Sequence, residues 1–308
     1  MIESDSAKNR LPFHAGYVTI IGNPNVGKST LMNALVGQKI SIVTPKPQTT
    51  RHKVLGILTG IDHQVIFLDT PGLLKPKYLL HEAMMNFAHA AIDDADLVLF
   101  MIEANHPHMG HEAEQDVAFQ TLTGLKKTTY LVINKMDLIA KQDALPIIAY
   151  YSEKHSFKEI FPISALNSQG TEELLRSITK DLPEHPPYYP SDIVSEQTER
   201  FFVSEMIRGR VFEQFRDEIP YSTAVEIIEF NEREGKKDLI IAEIYVERES
   251  QKGILIGKGG RALKEIGEEA RKDIEGFLDR PVFLDLHVKV REKWREKEAW
   301  LKRLGYKS

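Results

Sequence analysis

The sequence predicts an α/β chain in two parts: a doubly wound, mostly parallel sheet, followed by a smaller α+β domain. Three observations predict it. Before residue 182, short apolar runs alternate with helical stretches, which is the order of a doubly wound sheet. Residues 182–190 then hold four prolines in nine positions, a stretch that can neither continue a helix nor pair inside a sheet. After it the order becomes helix–strand–strand–helix–helix–strand. The expected domains are 1–185, a Pro-rich linker at 186–200, and 201–308 with a basic C-terminal helix.

In the first part the strand candidates are 17–21, 54–58, 64–68, 97–102, 130–133 and 160–163. Most are apolar on both faces, as in strands covered on both sides. Gly60 and Asp62 lie between the second and third runs, so a hairpin there makes the second strand antiparallel. In the second part, 195–217 reads as a helix, and 223–230 and 239–246 as strands split by the polar turn 234–238. Leu263, Ile266, Ala270, Ile274 and Phe277 recur at helical spacing on one face. Residues 282–290 alternate apolar and polar, as a half-buried strand does.

The chain has 308 residues, 42% hydrophobic and 28% charged, which excludes disorder over most of its length. It has no cysteine, which excludes thiolate zinc sites, iron–sulfur clusters, disulfide staples and a cysteine nucleophile. No apolar run approaches the ~20 residues that span a bilayer. Residues 1–8 lack the apolar core of a signal peptide, so the expected location is cytoplasmic. Net charge is −5, which announces no indiscriminate nucleic-acid binder. Charge is concentrated only at the end, where 287–308 carry eight Lys/Arg against three Glu.

Gly22, Asn23, Pro24, Asn25, Val26, Gly27, Lys28 and Ser29 fit the phosphate-loop pattern G-x-x-x-x-G-K-[ST]. The glycines let the backbone curl so that its N–H groups point inward at phosphate oxygens, and the following helix adds its positive end. Lys28 supplies charge to the outer phosphates, and Ser29 a hydroxyl to Mg²⁺. Asp69, Thr70, Pro71 and Gly72 end the third strand; Asp69 can hold Mg²⁺ through water, and the Gly72 backbone can approach the γ-phosphate. Asn134, Lys135, Met136 and Asp137 end the fifth strand. Guanine offers two adjacent donors, and an ionised aspartate can accept both, so Asp137 selects guanine over adenine. Lys135 can lay its stem over the base. Ser164 and Ala165 end the sixth strand, where their backbone can meet the guanine O6. Each element follows the carboxyl end of a strand, the edge where open α/β sheets bind ligands.

Together these elements resemble the guanine-nucleotide switch proteins, with a Ras-like sheet. That resemblance implies a metal-binding threonine in a mobile loop, here Thr49 or Thr50, with Thr50 the choice, engaged when γ-phosphate is present. Lys28 and Thr50 are then the catalytic candidates; Ser29, Thr50 and Asp69 are the metal candidates. Many Ras-like proteins carry a water-orienting glutamine directly after Gly72; here that position is Leu73, which cannot hydrogen-bond water. The resemblance is therefore to the subgroup with an apolar residue there, and intrinsic hydrolysis should be slow and stimulated by a partner. Arg51 reads as a solvated arginine.

Ile256, Gly257, Lys258, Gly259, Gly260 and Arg261 match the GXXG loop of KH domains, which joins two helices and clamps about four nucleotides of single strand. The two parts together resemble the Era GTPases of bacteria: Pro47 to His52, Asp69 to Leu73, Asn134 to Asp137, Ile256 to Gly260 and the final strand from Arg280 all fit, from about Ala15 to Tyr306. The resemblance implies binding of 16S ribosomal RNA near its 3′ end, a role in assembly of the small (30S) ribosomal subunit, and peripheral association with the inner face of the cell membrane. A monomer is expected, with GTP, GDP and Mg²⁺ as ligands.

His106, His108, His111 and Glu112 crowd one stretch, read as a solvated loop rather than a metal site. Trp294 and Trp300 read as the packed side of a basic helix. The leading expectation is a GTP-operated switch whose RNA affinity follows nucleotide state. Its rivals are an ATP-using enzyme, which the guanine-reading element disfavours, and a constitutive RNA-binding protein whose nucleotide site is structural.

Overall fold

A computed structural model describes residues 12–307. The first eight residues, read above as lacking a signal-peptide core, lie outside the described residues. The described chain divides into two compact units. One comprises residues up to Ser41, then Lys53–Leu73 and Ala88–Glu196; the other comprises Ile42–His52, Leu74–Phe87 and the chain from Gln197 on. Two segments of the amino-terminal half thus belong to the second unit, which no single cut in the sequence reproduces.

The first unit is built on a six-stranded sheet of β1 (His14–Gly22), β2 (Val54–Thr59), β3 (His63–Asp69), β4 (Leu97–Glu103), β5 (Thr129–Asn134) and β6 (Glu159–Pro162). The order is β2-β3-β1-β4-β5-β6. All neighbours are parallel except β2 and β3, which form the expected antiparallel hairpin. Central β4 and β5 are buried almost throughout, because helices cover both faces of a parallel sheet. Edge strand β6 is half-exposed, since it has a neighbour on one side only. The helices are α1 (Lys28–Val36), α2 (Leu79–Asp94), α3 (His111–Glu114), α4 (Val117–Gly124), α5 (Ala144–Lys154) and α6 (Thr171–Asp181). Helix α2 belongs to the second unit through Phe87 and to the first from Ala88.

The Pro-rich stretch is not a free tether. Buried Gln64 on β3 donates from Nε2 to the Tyr189 carbonyl (2.9 Å), and its Oε1 accepts from the Tyr188 and Tyr189 amides (2.7 and 3.0 Å). Beyond it, the Ile57 amide donates to the Val194 carbonyl (2.8 Å), and Ser195 Oγ donates to the Leu55 carbonyl (2.6 Å). Tyr189 and Ile193 pack on the cluster of Leu55, Ile57, Ile66 and Leu68. The prolines deny this stretch regular structure of its own, and the outer edge of β2 supplies the partners its backbone needs.

The second unit holds α7 (Glu199–Gln214), α8 (Ile219–Ser222), β7 (Ala224–Asn231), β8 (Asp238–Val246), α9 (Glu249–Ile256), α10 (Arg261–Leu278), β9 (Val282–Val290) and α11 (Glu298–Arg303). Its sheet order is β7-β8-β9, with β8 antiparallel to β7 and parallel to β9. Thr198 caps α7, its side chain accepting from the Phe201 amide. Val203, Ile207 and Val211 of α7, and Ile266, Ala270 and Ile274 of α10, recur four apart and face Ile240, Ala242 and Ile244 of β8 in one core. The α10 stripe departs from expectation at its end: Leu278 is buried there, while Phe277 is 39% exposed and leans on the Phe202 ring. Trp294 is fully buried, and its indole donates to the Ser222 carbonyl at 2.8 Å. Trp300 is half-buried against Tyr245. Among the described residues no helix is long and apolar enough to cross a membrane.

Replacing Trp294 with Phe leaves the Ser222 carbonyl buried without its donor. Urea unfolding followed by circular dichroism is expected to show a loss of about 1–3 kcal/mol, and an unchanged midpoint would refute that account of the bond.

Candidate functional site

The loops after β1, β3, β5 and β6 converge at the carboxyl edge of the first unit's sheet. Gly27 takes φ 103°, and a Cβ there would stand 2.3 Å from Asn134 Nδ2; a Cβ at Gly72 would stand 2.7 Å from the Pro24 nitrogen. Only glycine lets these loops approach so closely. Lys28 is 6% exposed, and its ammonium donates to the Gly22 (3.2 Å) and Asn23 (2.8 Å) carbonyls. Burial lowers its pKa to about 8 against the opposing pull of Asp69. Ser29 Oγ donates to Asp69 Oδ2 at 2.7 Å, and Asp69 is fully buried. A hydroxyl beside a buried carboxylate is an oxygen-only donor set, which suits a hard cation such as Mg²⁺. Thr70 Oγ1 donates to the Ile20 carbonyl (3.0 Å), and the Leu73 amide to the Gly22 carbonyl (3.2 Å). Leu73 is 2% exposed.

At the other end of the edge, Asn134 is buried and spans two loops. Its Nδ2 donates to the Val26 carbonyl (2.8 Å), and its Oδ1 accepts from the Ala165 amide (2.9 Å). Lys135 sits in the left-handed region at φ 64° and pairs with Glu103 at the end of β4. Met136 N donates to the Ile163 carbonyl at 3.0 Å. Asp137 is exposed, and one of its oxygens accepts from the buried Ser164 hydroxyl. That bond aims the carboxylate while leaving Oδ2 for a ligand's donors.

The Ile42–His52 segment, which carries Thr49 and Thr50, lies in the second unit. Thr49 Oγ1 is engaged by Thr44 Oγ1 and the Lys46 carbonyl, both at 2.8 Å. Arg51 is 1% exposed, not solvated as the sequence suggested: a site rich in backbone carbonyls receives its guanidinium. It donates to the carbonyls of Thr223 (2.7 Å), Pro220 (2.9 Å) and Tyr221 (3.1 Å), and lies over the Phe212 ring. Arg208, paired with Glu205, donates to the Thr49 carbonyl. Lys46 donates to the Phe212 and Phe215 carbonyls. His52 stacks on Tyr306 with ring centroids 4.3 Å apart. Burial holds its pKa down at about 4, with Glu205 opposing and Arg208 and Arg51 adding to the fall, so it is neutral at physiological pH.

In the same unit, Ile256, Gly257, Lys258, Gly259, Gly260 and Arg261 form the turn between α9 and α10, with Gly259 and Gly260 at φ 63° and 77°. Lys258, Gly259 and Arg261 are exposed. Beside the turn, an open cleft of about 410 Å³ runs between α10 and β9. Leu263, Gly267 and Leu286 floor it, Phe283 stands 55% exposed at its wall, and Lys237 and Arg271 bring positive charge.

Residues 17–135 match the 50S ribosome-binding GTPase family, and residues 218–295 match the KH domain family. The chain is 47% identical to the GTPase Era of Lacticaseibacillus paracasei over 296 residues, covering 95% of this chain and 97% of that protein. It is 48% identical to the GTPase Era of Geobacter metallireducens, covering 96% and 98%. The chain belongs to the Era GTPase family. Among solved structures, a variant of Aquifex aeolicus Era bound to GDP·AlF4⁻ is similar at a TM-score of 0.90 and 40% identity, with 96% of this chain and 100% of that chain covered. The same values hold for an Era in complex with MgGDPNP and nucleotides 1506–1542 of 16S ribosomal RNA. The activity of this Era-family chain is GTP hydrolysis, with GTP and GDP as its nucleotides and Mg²⁺ as their metal.

Within this Era-family fold the phosphate loop, Asp69 to Leu73, Asn134 to Asp137 and Ser164–Ala165 all lie in the first unit, while Thr50 and the glycine turn lie in the second. In this structure the Ala165 amide serves Asn134. Sequence reasoning missed Glu103 and Arg208. Glu103 meets Asn134 only through the β4–β5 register, and Arg208 sits inside an ordinary helical pattern, so neither carried a signal in the sequence.

Two outcomes follow. Asp137→Asn offers one acceptor and one donor where guanine presents two donors. In nucleotide titrations it should weaken GTP binding by about two orders of magnitude and improve xanthosine triphosphate binding; unchanged preference would remove Asp137 from base reading. Lys28 loses its proton as pH rises through about 8, and a polyanion favours the protonated form. GDP affinity should therefore fall above that pH, with calorimetry showing proton uptake near pH ~8.5 and none near pH ~6.5. Uptake at neither pH would contradict the buried-ammonium account.

Proposed function

We propose that this GTPase is a nucleotide-operated switch that binds 16S ribosomal RNA through its KH unit and serves assembly of the 30S subunit. One observation carries the reading: the loop bearing Thr50 is built into the same compact unit as the glycine turn, by Arg51, Arg208 and Lys46. Capture of Thr50 by a triphosphate-bound metal acts on a segment that the RNA-binding unit also holds, which is the kind of element through which two ligands bias one equilibrium. The Era structure solved with MgGDPNP and a 16S fragment supports the choice of RNA.

In this reading the phosphate-loop amides and Lys28 bind and neutralise the phosphates. Asp137, aimed by Ser164, reads the guanine, with Lys135 over the base. Ser29 and Asp69 would hold Mg²⁺, and Thr50 would join them when γ-phosphate is present. When bound, Mg²⁺ would offset the negative charge that develops as the γ-phosphoryl group passes from GDP to water. Leu73 is buried and apolar, so the free protein hydrolyses GTP slowly and a partner accelerates it. In the KH unit, the 256–261 turn approaches the RNA backbone, and bases enter the α10–β9 cleft against Phe283. The protein acts as a cytoplasmic monomer that visits the inner membrane face.

The test is a titration of a 16S 3′-end RNA fragment with GDPNP, with GDP and without nucleotide. Affinities should differ at least about fivefold between the first two; identical affinities would refute the switch. Lys28→Ala should abolish the difference while thermal stability persists. Lost stability with unchanged RNA binding would instead favour a constitutive RNA binder with a structural nucleotide site.

A further inference from the structure

The second residue of the phosphate loop has a partner far away in sequence. Asn23 Nδ2 donates to Asp116 Oδ2 across 93 positions. The other oxygen of Asp116 accepts from the Ala118 amide at 2.8 Å and caps α4, and its side chain is 10% exposed. His108 Nδ1 lies 3.2 Å from the same Asp116 oxygen and 3.2 Å from Asn23 Nδ2, so the imidazole and the amide both converge on one carboxylate oxygen. The far ring nitrogen faces Glu112 at 3.6 Å. His108 thus ties the stretch to the phosphate loop at one point, while His106, His111 and Glu112 are exposed, as the sequence suggested.

The platform behind it is fixed. Tyr151 is 2% exposed, and its hydroxyl donates to the Pro107 (2.6 Å) and His108 (3.0 Å) carbonyls, while its ring packs near Phe100 and Phe119. On the other side of the tie, the Asn23 carbonyl accepts from Lys28 Nζ at 2.8 Å. A chain of bonds thus runs from a core tyrosine, through Asp116 and the Asn23 peptide, to the ammonium that meets the phosphates.

We propose that Asp116 is a positioning residue for the phosphate loop: by holding Asn23 it fixes the peptide that retains Lys28, and so sets how long a bound nucleotide stays. This rests on Lys28 serving the phosphates. The effect of Asp116 passes through Asn23, so it governs nucleotide retention more than the chemical step. A side-chain tie from a rigid element is what keeps a binding loop within the small tolerance that phosphate recognition needs.

The experiment is a variant cycle read by the dissociation rate of mant-GDP with Mg²⁺ present. Asp116→Ser keeps a capping oxygen for α4 but is too short to reach Asn23. Asp116→Ser and Asn23→Ala should each speed dissociation by about tenfold, the worth of one charge-assisted hydrogen bond, and the double variant should be no faster than either. KM for GTP should rise further than kcat moves, and the melting temperature of Asp116→Ser should stay near that of the parent. A parental dissociation rate in Asp116→Ser, or multiplied effects in the double variant, would overturn the proposal and leave Asp116 a helix cap. Should Asp116→Ser fail to fold, Asp116→Asn decides: it retains a capping oxygen but sets an amide against Asn23, and a parental rate there is equally fatal. Retained mant-GDP binding in Lys28→Ala would instead indict the nucleotide-site reading itself.

Discussion

Asn134 is the joint on which the nucleotide site turns. Its buried amide ties the phosphate loop at Val26 to the loop after β6 at Ala165, while its own backbone ends β5. Three strand ends are thereby held at one spacing by a side chain that can donate and accept at once. Aspartate could not donate to Val26, and leucine could do neither, so either would leave buried backbone groups unpaired. Gly27 carries no side chain because Asn134 occupies the space a Cβ would need. The element read for its base-selecting aspartate thus has an architectural member beside it.

The second unit solves a different problem. Its core is an ordinary one of helices α7 and α10 on a three-stranded sheet, yet it recruits two segments from the amino-terminal half of the chain. Charged side chains take part in the recruiting through directional bonds, beside the packing of Ile42 on Gly209 and of His52 on Phe201 and Tyr306. Arg51 alone satisfies three carbonyl groups around α8, and Arg295 holds Tyr78 at 3.1 Å while paired with Glu247. Such polar anchoring is directional, so it favours one arrangement of the loop.

Legibility in the sequence followed the range of each physical requirement. The strand segments, the β2–β3 hairpin and the helix–strand–strand–helix–helix–strand order of the second unit were readable because periodicity and turn chemistry are local. The phosphate loop, the guanine-reading element and the glycine turn were readable as motifs because each packs its chemistry into eight residues or fewer. What was not readable is long-range. Asp116 and Asn23 meet across 93 positions, and Arg51 meets carbonyls some 170 residues away. Phe277 and Leu278 adjoin at the edge of the α10 stripe, where a period of ~3.6 does not say which one turns inward; packing chose Leu278. Arg51 looked solvated because an arginine in a polar loop carries no mark of the carbonyls that will surround it.

The stretch from Tyr188 to Ser195 has a bearing on how this protein can be divided. It docks on the hairpin of β2 and β3 and bonds Leu55 and Ile57 on the flank of β2 that faces away from β3. A fragment cut at residue 185 would uncover a strand of Val54, Leu55 and Ile57 with idle amides and carbonyls, a template on which a second molecule could add a strand of its own. Val194 and Ser195 therefore act as a selvedge, and an isolated amino-terminal piece cut beyond Ser195 keeps that edge covered.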